Sequence, residues 1–364
     1  MQKLLSGYAG TYTQDGGGRG RGIYKFTMDT ENGTLDDISL AAESANPSYL
    51  ALSSTGKNLY AVNETNDYNG QKGGAVSAFA RDEKSGELTL INQKFSEGVA
   101  PCHVALNTAA THALVANYTS GVLAVFPLES NGALCDASQT IEFSGSGPNP
   151  GRQEGPHAHF FMFDRNEFYG YVCDLGTDRI MAYNFDDTCQ DPLCVGETPW
   201  FSSTPGAGPR HGIFNASGET AYIINELDCT VDVLAYKMYF ACFDKRQSVS
   251  SLPVGVTIKE TTPQSSGAAI KIHPNGKFVY ASNRGHNSIA VFKTINAAGD
   301  LELVNVTSSG GMTPRDFTLD PSGNFLLAAN QDSDTIVVFR VDSSTGFLMH
   351  EREYPLPSPV CIIF

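Results

Sequence analysis

The chain has 364 residues, 24 of them Lys or Arg and 39 Asp or Glu, for a formal net charge of −15 and a charged fraction of 17%. That acidity disfavours nucleic acid and anionic membrane as partners, and a charged fraction below the roughly 25% of average domains points to extensive buried surface. No apolar run approaches the roughly 20 residues that span a bilayer, and the start, Met1-Gln2-Lys3-Leu4-Leu5-Ser6-Gly7, turns polar too early for a signal-peptide core. A soluble cytoplasmic protein is expected, with its eight cysteines, none in a Cys-x-x-Cys pair, as free thiols.

In chain order, a strand-like run Leu4–Tyr12 opens the sequence. The glycine-rich Gly16-Gly-Gly-Arg-Gly-Arg-Gly22 follows, and it precedes a strand rather than a helix and lacks the Lys-Ser/Thr of a nucleotide loop, so it reads as a connection. From there one pattern recurs: a tight turn, then an apolar strand ending in Asn. It is plain in Ser54-Thr-Gly-Lys-Asn-Leu-Tyr-Ala-Val-Asn63, Ala216-Ser-Gly-Glu-Thr-Ala-Tyr-Ile-Ile-Asn225, Pro274-Asn-Gly-Lys-Phe-Val-Tyr-Ala-Ser-Asn283 and Pro321-Ser-Gly-Asn-Phe-Leu-Leu-Ala-Ala-Asn330, with weaker copies ending at Asn117 and Asp174. The mean spacing of these anchors is about 53 residues, and one step back from Asn63 reaches the first run, so there are seven units.

Each unit continues with an alternating run such as Ala75-Val-Ser-Ala-Phe79 or Val231-Asp-Val-Leu-Ala-Tyr236, and most add a Gly-x-Leu strand such as Gly86-Glu-Leu-Thr-Leu90. Four short strands repeated seven times predict an all-β fold, a seven-bladed β-propeller forming a single domain over residues 1–364. Six units have a first strand opening after Pro or a small residue. The first unit has none, and the missing copy stands at the end, Pro359-Val-Cys-Ile-Ile-Phe364, so the C-terminal strand is expected to complete the first blade and close the ring. A closed ring needs no partner to be stable, so a monomer is expected. The stretch 237–247 is long for a connection and reads as an outer strand extension or a rim loop.

With the tight turn at one end of each blade, the opening of strand one and the close of strand two meet at the other, at one channel mouth. That ruler sets Arg210 across from Asn225, Arg315 from Asn330, Ser48 from Asn63 and Cys102 from Asn117. In the fourth blade either His157 or His159 takes the equivalent place. The mouth thus collects His157, His159, Arg210, His211, Glu64, Glu226, Arg284, His286, Arg315 and Gln331. Several arginines converging in an acidic chain indicate a site for a small anionic ligand. The Asn ladder reads as structural, lone histidines such as His103, His211 and His286 commonly serve as hydrogen-bonded structural groups, and the two glutamates can pair with the arginines. His157-x-His159 has metal-ligand spacing, but no third ligand is near in sequence, so no metal or other cofactor is expected.

The segments Arg152-Gln-Glu-Gly-Pro-His-Ala-His159, Gly208-Pro-Arg-His211, Asn225-Glu226, Ser282-Asn-Arg-Gly-His-Asn-Ser-Ile289 and Pro314-Arg-Asp-Phe317 resemble the lactonase family of seven-bladed propellers. That family includes the propeller-type 6-phosphogluconolactonases and the fungal carboxy-cis,cis-muconate cyclase. The resemblance covers the whole chain and implies catalytic or binding roles for His157 or His159, Arg210, Glu226 and Arg284, with Arg152 facing the same site. It implies hydrolysis of 6-phospho-D-glucono-1,5-lactone in the pentose phosphate pathway, with His and Glu moving protons, Arg210 or Arg284 holding the oxyanion, and Arg152 or Arg315 holding the phosphate. A muconate-type lactonising isomerase would use the same residues, and a non-enzymatic binding platform is the reading from another class.

Overall fold

A computed structural model describes residues 4–14 and 17–364. The Met1-Gln2-Lys3 start and Gly16 of the glycine-rich connection lie outside the described residues. Seven four-stranded antiparallel sheets form the fold, and each inner strand touches the inner strands of both neighbouring sheets until the ring closes. The inner strands are Pro359–Ile363 in blade 1, then Tyr49–Leu52, Pro101–Leu106, Ala158–Phe163, Pro209–Phe214, Ser266–Ile272 and Pro314–Leu319 in blades 2 to 7. The C-terminal strand pairs with Leu4–Thr11, so the last residues complete the first blade as the sequence predicts.

The core lies between blades. In strand two of blade 7, Leu326 and Ala328 pack with Phe278, Tyr280 and Val291 of blade 6, while Leu327 and Ala329 pack with Ala9, Phe26 and Met28 of blade 1. Both faces of that strand are buried, which is why it reads as an unbroken apolar run rather than an alternating one. The tight turn before it needs a left-handed residue, supplied by Gly56, Gly218, Gly276 and Gly323 at φ between 70° and 76°.

The Gly-x-Leu signature has a partner in the repeat. The hydroxyls of Tyr8, Tyr60, Tyr222 and Tyr280, all on second strands, donate at 2.8–2.9 Å to the carbonyls of Gly86, Gly132, Gly299 and Gly346 in the next blade. Each buried tyrosine thus locks its blade to its neighbour. The anchoring asparagines also serve the fold: Asn117, Asn283 and Asn330 donate to the carbonyls of Ser96, Ser251 and Ser309, where the chain crosses from one blade to the next. The 237–247 stretch divides into a short 3₁₀ turn, Met238–Phe240, and the start of the outer strand Cys242–Ser250.

The register at the mouth differs by one residue from the sequence ruler. Pro101 pairs with Asn117, Pro209 with Asn225 and Pro314 with Asn330, so Cys102, Arg210 and Arg315 are extra residues skipped by the ladder. In blade 2 the inner strand begins at Tyr49, paired with Val62, and Ser48 lies just outside it. A bulge gives one strand an additional residue and re-aims its side chain, a device invisible to a ruler that counts paired positions.

Candidate active site

Blade 4 shows what the bulge decides. Ala158 pairs with Asp174 and Phe160 with Cys173, which leaves His159 at the bulge, in the position of Arg210 and Arg315. His157 falls outside the ladder. Its ring stacks on Tyr118 with centroids 4.5 Å apart, and its Nδ1 lies 3.0 Å from the Tyr118 carbonyl, so it backs the mouth rather than lining it.

A second ring of positions follows the strand-two anchors: Tyr12, Glu64, Tyr118, Glu226, Arg284 and Gln331 each come directly after Thr11, Asn63, Asn117, Asn225, Asn283 and Asn330. Members of the two rings, with Arg152 reaching over from the connection before blade 4, enclose a cavity of about 180 Å³ lined by Tyr12, Glu64, Cys102, Tyr118, Arg152, His159, Glu226, Arg284 and Arg315. Arg152 is aimed by its neighbour: buried Gln153 donates to the Leu175 carbonyl and to Asp178, pinning the loop.

Glu226 organises one side of this cavity. Arg152 Nη2 donates to its Oε1, while Arg210 Nε donates to Oε2 at 2.9 Å and Arg284 Nη2 meets the same oxygen at 2.7 Å. Burial alone would raise the Glu226 carboxyl, but Arg284, Arg210 and Arg152 override it and hold the group ionised, well below the usual carboxylate range. Arg210 is only 2% exposed and lies beneath the cavity, its Nη1 donating to the Ala268 carbonyl at 2.6 Å and to His211 Nε2 at 3.0 Å. Burial and the nearby Arg284 bring Arg210 down to about 10, still a cation at neutral pH.

His159 is buried, and burial followed by the positive charge of Arg210 holds it well below its ordinary value, hence neutral. Its Nδ1 has no hydrogen-bond partner, and neither does Arg284 Nε. Buried polar atoms are rarely left unpaired, and two of them on one small cavity mark a place for a ligand. On the opposite side Tyr12 donates to Glu64 Oε2 at 2.9 Å, and Arg315 lies 3.6 Å from the same oxygen with its guanidinium over the Tyr12 ring. Four guanidinium groups face two carboxylates, leaving the site positively charged within an acidic protein.

Of the residues expected at the mouth, Glu64, Arg152, His159, Glu226, Arg284 and Arg315 come together, with Arg210 directly below. The others are placed elsewhere. His211 packs in an aromatic layer with Tyr49, His103 and Phe160. His286 turns back to the Ser288 hydroxyl at 2.8 Å, and Gln331 donates to exposed Asp332. The expectation that all three line the mouth is corrected on this geometry: His211 follows the bulge residue and points to the channel interior, His286 sits at the tip of its turn, and Gln331 is drawn outward by its neighbour. Tyr12 and Tyr118 line the cavity and were missing from the candidates, although the position after the anchor would have found both; Cys102, which the ruler sets at the mouth across from Asn117, lines it too. Among the described residues no group of three or more His, Cys, Asp or Glu side chains is arranged to hold a metal ion.

The family described as lactonase, 7-bladed β-propeller, matches residues 6–364. The chain belongs to this family. It is 38% identical over 365 residues to the 6-phosphogluconolactonase of Bacillus subtilis (strain 168), covering 100% of this chain and 99% of that protein. The 6-phosphogluconolactonase of Formosa agariphila is 33% identical, with 83% of each chain covered. Among solved structures, the periplasmic gluconolactonase of Pseudomonas aeruginosa superposes with a TM-score of 0.92 at 29% identity, covering 100% of this chain and 99% of that one. In this chain no helix among the described residues is long and apolar enough to cross a membrane.

Proposed function

We propose that this lactonase hydrolyses 6-phospho-D-glucono-1,5-lactone to 6-phosphogluconate, a step of the pentose phosphate pathway. The observation that carries the reading is the neutral His159, with an unpartnered Nδ1, beside an arginine cluster that outnumbers its carboxylates. A phosphorylated lactone brings both the negative charge such a cluster selects and a carbonyl that needs an oxyanion donor.

In the proposed reaction His159 takes a proton from water as the water oxygen bonds to C1. The carbonyl oxygen becomes an oxyanion against the free Nε–H of Arg284. The C1–O5 bond then breaks, O5 receives the proton from the His159 imidazolium, and the product acid ionises. Arg315 holds the phosphate, and Arg152, with its side chain 42% exposed, is the outer clamp. Glu226 gathers three arginines and keeps their charge in place. A carboxylate held this far below its ordinary value is a poor proton carrier, so its role differs from the acid–base one the family resemblance implies. Burial, and after it the arginine charge, depresses His159; binding of the phosphate offsets that charge, which makes the base stronger when the correct substrate is present. The protein is proposed to act as a cytoplasmic monomer: its eight cysteines are free, two of them, Cys189 and Cys194, exposed, as suits a reducing compartment.

The test is decay of freshly generated 6-phosphogluconolactone above its spontaneous rate, with Arg284→Ala as comparison. Acceleration lost in the variant is expected. Absence of acceleration with folded wild-type protein would reject the reading and move weight to the muconate-type isomerase.

A further inference from the structure

The rim of the mouth is lopsided. In blades 3 to 7, four residues join the strand-two anchor to strand three, as in 118–121 and 226–229. Blade 1 uses ten, 12–21, and blade 2 uses eleven, 64–74. The blade 2 insertion carries its own two-stranded hairpin, Asp67–Tyr68 with Gln71–Lys72, turned by Asn69 and Gly70 at φ 54° and 82°. The two long loops are stitched together by Asn46, which is 1% exposed: its Oδ1 accepts from Thr13 N and Oγ1 at 2.8 and 2.9 Å, and its Nδ2 donates to the Glu64 carbonyl at 3.2 Å. Ala100 N of blade 3 donates to the Thr65 carbonyl at 3.1 Å and fixes the far side.

Between these elements runs a groove of about 690 Å³ that shares Tyr12 and Glu64 with the arginine cavity and continues past Asn66, Asp67 and Thr119. The two spaces are therefore neighbours across one Tyr–Glu pair. The cavity, at about 180 Å³, is about a quarter the size of the groove beside it, and a substituent that projects past the Tyr12–Glu64 pair enters the groove on the Arg315 side. Its chemistry is the opposite of the cavity's. Among the described residues that line it there is no lysine or arginine, and Glu64 and Asp67 repel a second anion there. Exposed amide, hydroxyl and carboxylate groups of Asn66, Thr119 and Asp67 instead suit hydroxyl groups.

We infer that the groove is a subsite for a neutral glycosyl group, and that the enzyme also hydrolyses aldono-1,5-lactones carrying a further sugar on O6. The inference rests on the lactonase reading of the cavity. The chemistry is unchanged: water adds to C1, the C1–O5 bond breaks, one water proton ends on O5 and the other leaves the new carboxylic acid. The sugar on O6 lies where a phosphate ester would begin, and its hydroxyls face the hairpin.

Melibiono-1,5-lactone, whose galactosyl group is on O6, is the probe, compared with glucono-1,5-lactone and 6-phosphogluconolactone in wild type and in Asn66→Ala/Asp67→Ala, whose changes are exposed. The wild type is expected to turn over melibionolactone with kcat/KM at least equal to that for gluconolactone. In the variant that ratio is expected to fall about tenfold, the size of one or two lost hydrogen bonds. A wild-type ratio below one, or a ratio the variant leaves alone, overturns the subsite. Turnover of melibionolactone without 6-phosphogluconolactone would keep the subsite and reject the phosphosugar reading, whereas no turnover of any lactone by folded protein would reject both.

Discussion

The two glutamates that follow strand-two anchors at this mouth occupy equivalent positions and live in different surroundings. Glu226 has both oxygens taken by arginines from three directions and is 4% exposed. Glu64 has one oxygen shared between Tyr12 and a more distant Arg315, and it stands where the cavity opens toward the long loops. The same repeat position therefore yields a fixed counter-charge on the blade 5 side and an adjustable one on the blade 2 side. What separates them is which bulge residues lie nearby: Arg210 beside Glu226, and Cys102 with the more distant Arg315 toward Glu64.

The largest effect should follow from breaking the first of these. Glu226→Gln leaves buried Arg210 without its counter-charge, and removing one member of a buried ion pair typically costs about 3–5 kcal/mol. Urea unfolding should show that loss, and kcat/KM should fall by at least about 100-fold as the oxyanion donors lose their placement. Wild-type stability in Glu226→Gln would mean the network is looser than its distances indicate.

His159→Gln comes next, with kcat expected to drop by roughly 10²–10⁴ through loss of the base while the fold persists. It also has a pH signature. Burial holds His103, His159 and His211 well below the ordinary value, so each folded-state group binds a proton less readily than its unfolded counterpart near 6.5. Their contribution is fully present above about pH 6.5 and is lost as pH falls below it, because the unfolded chain takes up protons that the folded chain does not. Glu226, held low by its arginines, adds a further loss below about pH 4.3. Between these two pH values His159→Gln should take up about one proton fewer on unfolding than wild type; equal slopes of stability against pH would contradict the buried placement of His159.

Much of this fold is legible in the sequence because the repeat writes it seven times. Each Gly turn, apolar strand and terminal Asn is a local signal, and the missing first strand at the start balances the extra one at the end. The site is legible less completely. Glu226, Arg284 and Arg315 follow from counting along strands, and Arg152 only from the family resemblance, but counting assumes an unbroken ladder. The bulge after Pro209, after Pro314 and at His159 shifts the inward side chain by one, and that shift settles the choice between two histidines two residues apart. Tyr12 and Tyr118 were hidden for a different reason: aromatic residues after a strand read as packing, and only their place in the ring shows otherwise. The contrast between Glu226 and Glu64 is set in part by side chains from other blades and connections, Arg152 and Arg284 on one and Tyr12 and Arg315 on the other, and no local pattern carries those.

Glu64→Gln should move the other side of the comparison by a smaller amount. Removing the carboxylate frees Arg315, whose nearest acid it is at 3.6 Å, so KM for the phosphorylated lactone should fall a few-fold, in line with the modest worth of a partly exposed pair. The gain should shrink as salt is raised, and a rise in KM would show that Glu64 itself binds the substrate.

The smallest effect on catalysis separates site from scaffold. Tyr222 is 1% exposed, and its hydroxyl donates at 2.8 Å to the Gly299 carbonyl of the next blade. Tyr222→Phe keeps the ring in its core cluster and removes only that bond, so unfolding should be easier by about 1–2 kcal/mol, including the cost of leaving a buried carbonyl unpaired. The bond joins blades 5 and 6 away from the mouth, and Glu226 and Arg284, which come from these same two blades, are held by their own contacts there. Turnover should therefore match wild type at temperatures where both proteins are folded. A drop in kcat would mean that the angle between blades 5 and 6, set by this tyrosine, is what brings Arg284 to Glu226.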